Sequence, residues 1–103
     1  MKYLRCRWFH SIPDEPVLLY SELDDKRWEI RKVYIFENGR YEYANATFST
    51  PDTMLSELPI APLEEIAADP QFEPVEIDQD EFEAVWYQAV MRVGRGDCPG
   101  KET

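Results

Sequence analysis

The chain has 103 residues, 44% hydrophobic and 14% aromatic, which suits one folded domain and excludes a disordered chain. A formal net charge of −10 argues against direct binding to a phosphate backbone, which needs a basic footprint, and suits solubility and a basic partner. The charge is uneven: residues 1–40 hold eight Lys/Arg and seven Asp/Glu, whereas residues 41–91 hold twelve acids and no Lys or Arg.

In chain order, residues 2–9 alternate as a strand, with Leu4, Cys6 and Trp8 on one face and Tyr3, Arg5 and Arg7 on the other. Residues 10–16 contain Pro13 and Pro16 and read as a loop, because proline removes ladder donors. Residues 17–24 form a second strand. After the polar turn Asp24-Asp25-Lys26-Arg27, residues 28–37 form the longest strand, expected at the sheet's centre. Its alternation is broken. Trp28, Ile30, Tyr34 and Phe36 share a parity that Lys32 interrupts, while Val33 and Ile35 share theirs with Glu29, Arg31 and Glu37. Either both faces are partly covered or a bulge near Arg31-Lys32 switches the parity. Asn38-Gly39 signals a type I′ hairpin turn, since both residues tolerate positive φ. Residues 40–47 are then a fourth strand, with Tyr41 and Tyr43 on one face.

Residues 48–62 read as a long connection. Pro62 at a first helical position and Glu64 and Glu65 in the first turn predict a short helix over residues 62–69, stopped by Pro70. Residues 71–77 read as a linker anchored by Phe72, Val75 and Ile77. Asp78 is placed as an N-cap, with Glu81 three residues on and Ile77 and Phe82 set for a hydrophobic staple. Phe82, Val85, Trp86, Ala89 and Val90 form one apolar stripe to about Arg92, and Gly94 and Gly96 end the helix. The expected fold is α+β: a four-stranded antiparallel meander, one short helix, and a longer C-terminal helix packed on one sheet face. Residues 1–93 are expected to form a single domain and residues 94–103 a flexible tail.

Cys6 lies in a strand pattern and Cys98 in a Gly/Pro-rich stretch; two cysteines make no disulfide framework and read as free thiols of a reducing cytoplasm. The N-terminus lacks the apolar core of a signal peptide and no apolar run reaches membrane-span length, so a cytoplasmic location is expected. No nucleophile motif, phosphate loop, dinucleotide fingerprint or paired metal signature is present, and no cofactor or metal is expected. His10 with Asp14 and Glu15 makes a loop cluster whose simpler reading is a solvated histidine.

Two charged groups carry the functional readings. Glu22, Glu29 and Arg31 sit where carboxylates with a raised pKa would do acid–base work, and also where neighbouring strands would pair them structurally, the favoured reading. In the acid-only half, Glu64, Glu65, Asp69, Glu73, Asp80 and Glu83 form a candidate surface for the Lys and Arg of a partner, with Tyr41 or Tyr43 as apolar contacts.

The run Tyr20-Ser21-Glu22-Leu23-Asp24, then Trp28-Glu29-Ile30-Arg31-Lys32-Val33 and Phe36 to Gly39, resembles a family of small, mostly bacterial proteins of unknown function. Pro62-Leu63-Glu64-Glu65-Ile66 and Phe82-Glu83-Ala84-Val85-Trp86 are similar too. The likeness spans roughly residues 3–90 and implies a stand-alone domain, with no activity or catalytic residue attached. The leading expectation is a non-enzymatic, immunity-like or inhibitory protein that docks an acidic face onto a basic partner, such as a nuclease toxin. The alternative is a small enzyme or ligand-binding protein with a site around Glu22, Glu29 and Arg31.

Overall fold

Period-two alternation in the first half of the chain does build consecutive antiparallel strands in the computed structural model, which describes residues 1–51 and 53–97. The elements are β1 (Lys2–Trp8), β2 (Pro16–Leu23), β3 (Glu29–Phe36), β4 (Tyr41–Asn45), β5 (Phe48–Ser49), α1 (Leu63–Ala67), β6 (Phe72–Ile77) and α2 (Gln79–Asp97). The α+β class and the C-terminal helix are as expected. The strand count is not: among the described residues the sheet has six strands, in the order β5-β4-β3-β2-β1-β6, with every neighbouring pair antiparallel.

The two additional strands arise where local pattern is weakest. β5 is only two residues long, held against Ala44 and Asn45. β6 occupies the stretch read as a linker, because Pro74 lowers its strand signal. It is an edge strand beside β1, and an edge is where a sheet tolerates proline. Phe9 N donates to Gln71 O, so the alternation along the ladder turns the backbone groups of Phe72, Pro74 and Glu76 away from β1. Phe72 N already donates to Asp69 O, and Pro74 has no N–H, so this edge offers little to a further strand.

Two turns refine the sequence reading. Gly39 has φ 89°, but Asn38 is not in the left-handed region, so the β3–β4 turn is not type I′. Gly39 N donates to Phe36 O and Phe36 N to Arg40 O, which describes a type I turn over Glu37 and Asn38 closed by a left-handed glycine. In β3, Glu22 faces Arg31 while Leu23 faces Glu29, leaving Ile30 as the extra residue of a bulge. That bulge switches the parity one residue earlier than Arg31-Lys32, and both faces of β3 are partly covered as well.

The bulge assigns the faces. Tyr3, Tyr20 and Val33 point toward α2, where Phe82 and Ala89 are fully buried and Leu18, Ile35, Tyr41, Tyr43, Ile77, Val85 and Trp86 pack around them. Burying a side chain such as Phe82 contributes about 1.5–3 kcal/mol, so this stripe holds the helix down. Asp78 caps α2, its Oδ1 accepting from Glu81 N at 2.8 Å, while the Glu81 carboxylate turns away to Arg5 at 2.7 Å instead of closing a capping box. The helix backbone continues to Asp97, beyond the expected stop, because a glycine weakens a helix by only about 1 kcal/mol and does not forbid it. Cys98 and the rest of the expected tail lie outside the described residues.

Candidate functional site

Under α2 the charged side chains at the contact pair with one another. Arg31, directly opposite Glu22 on the neighbouring strand, makes a fork of two bonds to it at 2.5 and 3.1 Å. From the helix above, Glu83 accepts from the same guanidinium at 2.6 and 3.1 Å. The guanidinium also lies 5.0 Å from the ring centres of both Phe82 and Trp86. The hydrogen bonds to Glu22 hold the Arg31 pKa above its ordinary value, and the Arg31 bonds hold Glu83 below the usual carboxylate range.

The opposite face of the sheet opens onto a cavity. Leu4, Cys6, Leu19, Phe72 and Pro74 floor a pocket of about 540 Å³, walled by Ser56, Ile60 and Ala61 and by Glu65, Ile66 and Asp69 on and beside α1. At its base lies a buried ion pair: Lys32 Nζ is 3.2 Å from Glu29 Oε1, and their side chains are 9% and 3% exposed. Glu29 Oε1 also accepts from Ser56 N at 2.8 Å, and Oε2 from Ser21 Oγ at 2.7 Å. Lys32 donates to Tyr34 Oη at 3.0 Å. Both oxygens of this buried carboxylate are therefore hydrogen-bonded. Burial pushes the Cys6 thiol up, which keeps it protonated and a poor nucleophile at neutral pH.

The wall that makes the pocket concave is irregular chain tied to the β2–β3 turn. Arg27 is held at φ 69°, in the left-handed region. Its O accepts from Ile60 N at 2.8 Å, and its guanidinium donates to Ile60 O at 2.8 Å and Ala61 O at 2.7 Å. This clamp, with the Ser56–Glu29 bond, carries residues 56–61 across the sheet and delivers α1 to the pocket mouth.

The sequence-predicted residues separate accordingly. Glu22 and Arg31 lie under α2, whereas Glu29, displaced by the bulge, lies on the open face, so the three do not form one site. Of the acidic candidates, Glu65 and Asp69 come together at the pocket mouth with Glu64 exposed beside them. Glu73 is exposed on β6 opposite Arg7, Asp80 is exposed in the first turn of α2, and Glu83 is paired with Arg31. Tyr41 and Tyr43 belong to the helix layer, Tyr43 meeting Trp86 edge-on at 5.1 Å and Tyr41 lying under Arg92. In the His10 cluster both ring nitrogens are engaged, Nε2 with Pro16 O and Nδ1 accepting from Ile12 N, so the ring closes its loop. Sequence reasoning counted Lys32 among the charged hairpin residues without giving it a place in the site, and passed over Tyr34 and Ser21. The available signal was Lys32 itself, a cation interrupting an aromatic parity.

Residues 2–91 match a family described as a domain of unknown function (DUF6881), and the chain belongs to that family. No curated protein and no solved structure matches it.

Proposed function

We propose that this is a non-catalytic binding protein that receives a basic partner on the open face of its sheet, in the manner of an immunity protein or inhibitor. The observation that carries the reading is the contrast between the faces. One is covered by α2, with Arg31 paired to Glu22 and Glu83 beneath it. The other holds an apolar-floored pocket lined by three carboxylates, Glu29, Glu65 and Asp69, against one ammonium, Lys32. Lys32 and Glu29 neutralise each other, which leaves the exposed Glu65 and Asp69 to set the sign of the mouth. An apolar hollow with a charged rim is the arrangement of a recognition surface: burial gives affinity, and the rim steers and selects.

The test is capture of host proteins on the immobilised chain, with the charge-reversed pair Glu65→Lys and Asp69→Lys as the control. The expected result is a basic partner that salt releases and that the double variant binds about tenfold more weakly, equivalent to about 1.4 kcal/mol. A partner indifferent to both salt and charge reversal would defeat the proposal.

A second reading, a small-ligand or catalytic site, has one observation in its favour, the buried Glu29 carboxylate inside a pocket. Against it stand the donors that already occupy both oxygens of Glu29, and the position of Glu22 and Arg31 on the far side of the sheet.

A further inference from the structure

The pocket does not end at its own walls. A second hollow of about 660 Å³ adjoins it, sharing Leu19, Tyr34 and Phe72 and adding Trp8, Asp14, Glu15 and Arg40. Together they make one groove along the open face, acidic at Glu65 and Asp69, apolar across Leu19 and Phe72, and acidic again at the exposed Asp14 and Glu15. The cations along it are engaged: Lys32 with Glu29, and Arg40 with Glu42 at 2.5 Å while stacked 3.9 Å from the Phe36 ring centre. Trp8 lines the second hollow, and its indole N–H is shielded from solvent with no hydrogen-bond partner among the described residues. Such orphaned donors are uncommon and call for an acceptor.

Resting on the binding reading above, we propose that the occupant is an extended segment of a partner protein, basic at both ends and apolar between, laid along the whole groove. The acid–apolar–acid order of the groove is complementary to a basic–apolar–basic segment. An extended backbone has carbonyls free to accept from Trp8 Nε1 once the ring turns toward the groove on binding. A helix has its own carbonyls occupied and offers none in its interior.

The experiment uses the full chain and a synthetic peptide with paired lysines at each end and leucine and phenylalanine between them. Affinity is measured by calorimetry at low salt, and the Trp8 indole proton is followed by NMR. One variant carries Glu65→Lys with Asp69→Lys. The other carries Asp14→Asn with Glu15→Lys, asparagine being chosen because Asp14 sits at φ 68° and asparagine accepts that conformation. All these positions are exposed, and circular dichroism confirms that each variant keeps the parent fold. The expected result is a loss of about tenfold in affinity from either variant, and a Trp8 indole shift on binding. If only the Glu65 and Asp69 variant weakens binding, the partner sits at the α1 end alone: the groove-spanning segment is overturned while the binding reading stands. If the peptide does not bind, the extended segment is likewise overturned, and the host-partner capture decides the wider reading separately.

Discussion

A guanidinium clasped by two carboxylates and two aromatic rings cannot be replaced by an amine. Arg31 fits Glu22 and Glu83 through its planar fork and presents its face to Phe82 and Trp86, with only 17% of its side chain exposed. Arg31→Ala would leave the Glu22 carboxylate, 9% exposed, without its counter-charge. We expect that variant to lose roughly 3 kcal/mol of stability in urea unfolding, and Arg31→Lys to recover only part of it. A loss under about 1 kcal/mol would instead mark the cluster as an ordinary surface pair. The Glu22–Arg31 half of this cluster was legible in the sequence, since a hairpin turn sets those two residues opposite each other. The Glu83 half was not, because it lies 52 residues further along the chain and only the docking of α2 brings it near.

Among the elements, α1 depends most on its surroundings. With five residues it is too short to be helical on its own, and none of its residues is buried. It holds its place through the chain preceding it, which Arg27 clamps with two charge-assisted bonds and one backbone bond. Arg27→Ala is expected to cost about 1–2 kcal/mol and to speed hydrogen exchange at the Ile60 amide well above that of β2 and β3. Arg27→Gly separates causes: it relieves the left-handed backbone but still lacks the two guanidinium bonds, so it too should speed exchange at Ile60. Protection unchanged in both variants would show that packing alone holds the segment. The existence of α1 followed from Pro62 and its first-turn glutamates. Its clamp was not readable, because an arginine in a polar turn looks like any solvated arginine until Ile60 and Ala61 are folded onto it.

For the whole molecule, the titrating groups set a pH window. Glu83 is held below the ordinary carboxylate range by Arg31, so its contribution is complete above the unfolded value near about 4.3 and is lost as pH falls through its lowered folded value. Burial raises Cys6, Tyr3 and Tyr20, so their contributions are complete below the unfolded values, about 8.5 for the thiol and about 10 for the phenols, and are lost as pH rises through the raised folded values. The thermal midpoint should therefore plateau between these limits and fall on both sides. Glu83→Gln should flatten the acid limb and leave the alkaline limb unchanged, which differential scanning calorimetry across pH would read. An unchanged acid limb would assign acid unfolding to other carboxylates.

The sequence by itself determined the α+β class, the meander of β1 to β4, the capped helix that closes one face, and the division of charge between a near-neutral first part and an acid-only second part. These depend on period-two and period-3.6 patterns, turn residues and capping, all of which act within a few residues. Tertiary structure decided the rest. β6 becomes a strand because β1 is there to pair with it, despite Pro74. Glu29 parts from Glu22 and Arg31 because one bulge residue, Ile30, turns it to the other face. The groove exists because Arg27 and Glu29 bind a distant segment and bring α1 to the sheet. Each of these is a contact between parts of the chain far apart in sequence, and no local pattern encodes where such parts meet.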